Sequence, residues 1–171
     1  GATAIFISGN SFAPDDYDPH ALEPIHAIIR ETELPLFGFC GGFQLIAQAL
    51  GADIVALPAS DGPSLVTTKD GRLFEFGYHP VELAVENSGH PLLAGLGNQP
   101  IFRHAHGLHV PELPDGFANL ASTAATPIQM AVHDERPMVG TQFHPEYWTE
   151  EHPDGRTVIA NFLAWSGWSP T

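Results

Sequence analysis

Phe37-Gly38-Phe39-Cys40-Gly41-Gly42-Phe43-Gln44 is the stretch on which the reading of this chain turns. Residues 35–39 form a short apolar run of the kind that makes a buried strand. Gly41-Gly42 then leads into residues 43–50, a helical segment closed by Gly51. A strand that breaks directly into a helix leaves the junction residue in a cramped backbone conformation, and flanking glycines make room for it. Cys40 occupies that junction. The geometry would lift its sulfur to the top of a sheet and aim the helix N-terminus, with the next backbone N–H groups, at the same point. Such surroundings favour thiolate over thiol and can stabilise an oxyanion.

Working outward, residues 3–7 form another apolar, β-branched run, ending in Ser8-Gly9-Asn10-Ser11. Asp18-Pro19 is a helix start, an acidic cap followed by proline in the first turn. Leu22, Ile25, Ile28 and Ile29 then recur at helical spacing as far as Glu31. Residues 52–57 resume as a strand. Alternation of strand and helix predicts a parallel sheet covered by helices. From residue 58 to 134 the texture changes to short β-type runs at 72–76, 81–85, 101–106, 118–123 and 128–133. Proline- and glycine-rich turns separate them, which predicts antiparallel additions to the main sheet. A strand over 139–143 and a helix over 156–165 complete one domain, residues 1–171. The expected architecture is α/β, a mainly parallel sheet with helices on both faces.

Composition narrows the chemistry. Twenty Asp and Glu against six Lys and Arg give a net charge of −14, which would repel a phosphate backbone, so nucleic acid is not an expected partner. No apolar run approaches the ~20 residues of a membrane span, and the opening residues lack a secretion leader. A cytoplasmic location is therefore expected. Cys40 is the sole cysteine, so neither an internal disulfide nor a multi-thiolate zinc site can form. His104 and His106 would share a strand face with His109 nearby, but without a cysteine partner they read as ordinary surface or pocket histidines, and no metal is expected. Trp148, Trp165 and Trp168 read as packing for the last helix. The pairs Asp15-Asp16 and Glu150-Glu151 read as solvated loop charges.

A thiolate nucleophile needs a proton-exchanging partner. Gln142-Phe143-His144-Pro145-Glu146 follows the strand near the C-terminus, so both candidate segments lie at strand ends. In an extended segment, residues two apart point the same way. His144 and Glu146 can then meet, Pro145 stiffening the link. Glu146 would fix the imidazole tautomer while the other nitrogen faces Cys40.

Phe39-Cys40-Gly41-Gly42-Phe43-Gln44 resembles the C-x-G-x-Q nucleophile segment of class I glutamine amidotransferases, and Gly140-Thr141-Gln142-Phe143-His144-Pro145-Glu146 is similar to their G-x-Q-F-H-P-E signature. Glu75-Phe76-Gly77-Tyr78, His106-Gly107 and Leu113-Pro114-Asp115-Gly116-Phe117 resemble, in order, the glutaminase domain of GMP synthases. The likeness runs from about residue 4 to residue 163. It implies a flavodoxin-like fold and hydrolysis of glutamine through a γ-glutamyl thioester on Cys40, with no cofactor. It also implies ammonia delivery to a partner synthetase subunit. His144 and Glu146 complete the implied triad, the backbone of Gly41, Gly9 and Asn10 maps onto the oxyanion hole, and Gln44 onto a substrate-binding position. Three departures stand out. Ser8-Gly9-Asn10 replaces S-G-G, and Leu108 stands where S-H-G-D has its acid. The family's first strand–helix–strand unit has no counterpart before Ile5. Two alternatives follow, a stand-alone γ-glutamyl amide hydrolase and a catalytically silent regulatory or interaction domain. The oligomeric state is left open.

Overall fold

Residues 2–9, 18–59 and 62–168 are described by a computed structural model. The strand-to-helix junction lies at the centre of the main sheet. Strand β2 (Leu36–Phe39) is flanked by β1 (Ile5–Ile7) and β11 (Met138–Thr141), both parallel to it. Beyond β11 the sheet continues antiparallel through β10 (Met130–His133), β9 (Phe117–Ser122) and β6 (Glu82–Leu83), in the order β1-β2-β11-β10-β9-β6. The sheet is thus mixed, parallel on one flank and antiparallel on the other, rather than mainly parallel. The reason lies in the connections: only a few residues join β9 to β10 and β10 to β11, too few for the crossover that parallel neighbours need.

The central strands show why both faces are covered. In β2 all four residues are buried, and side chains alternate between faces. Leu36 packs with Ile29 of α1 (Pro19–Glu31) and Ile46 of α2 (Gly41–Ala49). Phe37 and Phe39 belong to a separate cluster with Val158 and Phe162 of α3 (Asp154–Trp165). Phe37 lies 4.6 Å from Phe39 and 5.0 Å from Phe162 between ring centroids, an aromatic nucleus that anchors α3. Helix α1 starts as its sequence predicts, the Asp18 side chain accepting from the His20 N–H at 2.9 Å with Pro19 in the first turn.

Not all the expected strands joined the main sheet. β5 (Leu73–Pro80) and β7 (Ile101–His106) pair with each other and, through β5, with β4 (Leu65–Thr67), as a separate antiparallel sheet. The expected strand over 52–57 shrinks to β3 (Val55–Ala56), paired with β8 (Leu108–His109). Trp165 packs against the aromatic cluster, whereas Trp148 and Trp168 are exposed, at 38% and 42%. Trp148 nonetheless rests on the last helix, under the guanidinium of Arg156 in α3, which lies 5.3 Å from its ring centroid. Glu150 and Glu151 are exposed, as read from the sequence; Asp15 and Asp16 lie outside the described residues.

Two glycines let the parts approach. A Cβ on Gly42 would strike the backbone carbonyl of Ile7, so α2 can start against the end of β1 only without a side chain there. A Cβ on Gly140 would fall within the Phe43 ring. Backbone atoms cannot yield as a flexible side chain can, so Gly42→Ala is expected to destabilise the protein by about 3 kcal/mol. Gly97, with open space around it, should tolerate alanine to within about 0.5 kcal/mol. Urea denaturation of the two variants beside the unsubstituted chain checks the contrast.

Candidate active site

Register places the site. Ile7 pairs with Gly38 and Thr141 with Phe39, so the residues following β1, β2 and β11 emerge together at one edge of the sheet. Gly9, Cys40 and the segment 142–144 are those residues. The Cys40 N–H donates to the Thr141 carbonyl at 2.7 Å, extending the β2–β11 ladder to the junction. Cys40 has φ 50° and ψ −107°, and it is the one non-glycine residue at positive φ among the described residues. Such a conformation costs on the order of 1–3 kcal/mol, and the surrounding ladder and helix impose it. Cys40 is itself the N-cap of α2, so the Gly41 N–H belongs to the first turn, where backbone donors have no intrahelical acceptor.

The His144 ring lies beside Cys40, both bordering the space in front of Gly9. Its other side is held by Glu146, with Nδ1 2.7 Å from Oε1. The pair forms by a different route from the extended one expected: β11 ends at Thr141, and Pro145–Tyr147 is a single 3-10 turn. That turn folds the carboxylate back to the ring. The His144 N–H donates to the Arg103 carbonyl at 2.8 Å, tying the turn to β7, and Gly155 of α3 packs against the Pro145 backbone. Burial alone would lower the His144 pKa, but contact with the Cys40 sulfur and the Glu146 hydrogen bond outweigh it and raise it to about 9. Gly9 sits beside the two groups, where a Cβ would lie 3.1 Å from His144 Cε1 and 3.4 Å from Cys40 Cβ. Asn10 lies outside the described residues. Against His144 a shallow open depression is lined by Tyr78, Arg103, Tyr147, Trp148 and His152.

Gln44, in the first turn of α2, points its Nε2 at the Leu108 carbonyl (3.1 Å) and at Gln142 Oε1 (3.4 Å). Gln142, fully buried, reaches Cys40 itself: its Nε2 is 3.7 Å from Cys40 Sγ. From the sequence alone Gln142 is one letter of a motif without a role of its own; the usable signal is its position two residues before His144.

A second polar cluster lies beneath the β5–β7 sheet. His104 and His106 share a strand face, but they are buried, not at the surface. With Glu75 they bring three ligand-type atoms within 4.8 Å of one another. Glu75 Oε1 already accepts from Thr123 (2.7 Å) and Ser64 (3.2 Å), and Oε2 from Thr126 (2.9 Å) and Gln129 (2.6 Å). His106 Nε2 approaches Oε2 to 3.0 Å. Burial would raise the Glu75 pKa, but His106, His104 and Thr123 outweigh it and hold it at about 2. Burial lowers His104 to about 4, with Glu75 opposing only in part. Glu75 is therefore a buried carboxylate satisfied by hydrogen bonds.

The residues fit a known family. The model of the glutamine amidotransferase class-I family matches residues 1–165. The chain is 31% identical over 163 residues to the GMP synthase [glutamine-hydrolyzing] of Symbiobacterium thermophilum, covering 95% of this chain and 28% of that protein. It is 36% identical to the enzyme of the same name from Leifsonia xyli, covering 79% and 24%. Among solved structures, a Thermoplasma acidophilum protein provisionally described as a GMP synthase subunit superposes with TM-score 0.78 at 27% identity, over 98% of this chain and 74% of that one. A Thermotoga maritima glutamine amidotransferase shares the fold at TM-score 0.61 and 19% identity, over 95% and 62%. An α/β fold with a cysteine at its strand-to-helix junction thus defines the class, and the chain belongs to the class I glutamine amidotransferases. It spans about a quarter of the length of these curated relatives.

Two measurements follow. Glu146→Gln should bring the His144 imidazole down from about 9 toward the usual value, read by NMR titration of the ring protons. Glu75 titrates near 2 when folded against an ordinary 4.5, so its contribution is full above pH 4.5 and disappears as pH falls through 2. Glu75→Gln should cost about 3 kcal/mol at neutral pH, the gap closing between pH 4.5 and 2 in urea denaturation.

Proposed function

We propose that this chain is a glutaminase unit, hydrolysing the side-chain amide of glutamine and supplying ammonia to a partner synthetase. The observation that carries the reading is the convergence of a strained Cys40 and a Glu146-anchored His144 ring beside Gly9, at one edge of the sheet. Cys40 thiolate attacks the amide carbon, and the carbonyl becomes an oxyanion facing the Gly41 N–H, the backbone near Gly9 and the N-terminus of α2. The imidazolium of His144 gives its proton to the leaving nitrogen, the C–N bond breaks, and ammonia departs from a γ-glutamyl thioester. Neutral His144 then takes a proton from water, which attacks the thioester; glutamate leaves and the thiolate–imidazolium pair is restored. Glu146 keeps Nδ1 protonated throughout, so the nitrogen facing sulfur is the one that exchanges.

Gln44 directs both amide hydrogens to Leu108 and Gln142. Its remaining carbonyl oxygen suits an ammonium group, such as the one at the far end of glutamine. The finer fold reading is a flavodoxin-like order, and residues 1–171 are read as one domain working in the cytoplasm. The names of the curated relatives support a nucleotide synthetase as ammonia acceptor. Among the described residues, no helix is long and apolar enough to cross a membrane.

Cys40→Ala should abolish ammonia release from glutamine, and Glu146→Gln should slow it about 10²-fold. A glutamine-analogue electrophile should add the mass of one adduct to the unsubstituted chain and none to Cys40→Ala. A chain that neither hydrolyses glutamine nor takes up the analogue, even when joined to a synthetase, would sink the reading. Faster amine release from γ-glutamyl amides than ammonia release from glutamine would favour the stand-alone hydrolase.

A further inference from the structure

Hydrogen-bond polarity along a buried chain of groups determines what Gln142 presents to the nucleophile. The Leu108 backbone carbonyl can only accept, and two groups face it at 3.1 Å: His106 Nδ1 and the amide end of Gln44. The Gln44 atom there must therefore be the NH₂ nitrogen. Its second hydrogen is directed at Gln142, 3.4 Å away, so Gln142 must offer its oxygen on that side. The opposite atom of the same amide, 3.7 Å from Cys40 Sγ, is then necessarily the nitrogen. Flipping Gln142 would set NH₂ against NH₂ at one end and oxygen against sulfur at the other.

We propose that Gln142 is a further catalytic residue, an N–H donor to the Cys40 sulfur that stabilises the thiolate, with Gln44 and the Leu108 carbonyl as the groups that position it. The assignment deepens the glutaminase reading and rests on it for its catalytic meaning. Gln142 is fully buried, so no water competes for the sulfur from that direction. Its backbone is held as well, its N–H donating to the Gln129 carbonyl at 2.8 Å. The sulfur is thereby met from two directions, by an imidazole that exchanges protons and by an amide that cannot. A donor of the second kind favours the charged form at every stage when sulfur carries or recovers its negative charge. Its benefit falls on attack and on thioester breakdown, not on holding the substrate. Leu108 enters through its main chain, so the side chain at this position is free to differ from the family's acid without disturbing the relay.

The sole cysteine makes the test direct. The rate of Cys40 alkylation by iodoacetamide is measured against pH for the full chain and for Gln142→Met, which keeps an unbranched side chain of similar volume but has no donor. The midpoint of the alkylation profile is expected to rise by about one pH unit, with little change in melting temperature. In glutamine hydrolysis kcat should fall about tenfold while KM stays within about twofold. Should Gln142→Met fail to fold, Gln44→Leu takes its place: it leaves the donor present but free to turn, and a smaller rise of the same sign is expected. An alkylation midpoint unchanged in a folded variant overturns the proposal. Alkylation needs no glutamine, so the outcomes separate: a shifted midpoint in a chain that never hydrolyses glutamine would defeat the glutaminase reading and leave the donor assignment standing. Normal hydrolysis with an unshifted midpoint would do the reverse.

Discussion

The parallel ladder between β2 and β11 is the constraint on which the rest depends. Its last hydrogen bond, from the Cys40 N–H to the Thr141 carbonyl, joins residues about a hundred positions apart and aligns two chain segments that must act together. Because the strands are parallel, whatever follows each of them appears at the same edge. Cys40 after one and His144 after the other are thus brought together by register alone. Antiparallel pairing of these two strands would have sent one segment to the opposite end of the sheet.

That arrangement is strained locally. Cys40 is held in a backbone conformation that L-residues avoid, and His144 is withdrawn from water with a raised affinity for its proton. The compensation is packing: Phe37, Phe39 and Phe162 near the junction, Gly42 against Ile7, Gly140 against Phe43 and Gly155 against Pro145. The glycine contacts fix backbone rather than side chains, which suits a site where small displacements carry a large catalytic cost. The buried Glu75 serves the neighbouring sheet in a similar way. It joins β5 to the segment spanning Thr123, Thr126 and Gln129 through three donors, and accepts a fourth hydrogen bond from Ser64.

What could be read from the residues divides along the range of the interactions. The strand–turn–helix at Cys40 was legible because composition and period change within a few positions, and α1 was legible from its cap and proline. Cys40, His144 and Glu146 were legible as a set, though Glu146 reaches the ring through a 3-10 turn instead of an extended segment. Residues 58–134 were harder. A six-residue apolar run states that it will be a strand but not which strand it will pair with, so β5 and β7 were assigned to the wrong sheet. Glu75 could not be recognised as buried, since three of its donors come from positions 48 to 54 residues away. The polarity of Gln142 was beyond reach for the same reason: it follows from a carbonyl on β8 that only folding brings near.

Among the described residues β1 has a strand neighbour on one side only, and it is three residues long, with Phe6 44% exposed. β11, on the other side of β2, is clasped between two neighbours. Cys40 therefore follows a strand paired on both sides, between a β1 paired once and a β11 paired twice among the described residues. The chain leading to Gly9 is thus held by one ladder and the chain leading to His144 by two, so among the described residues the sheet fixes the two walls around Cys40 unequally.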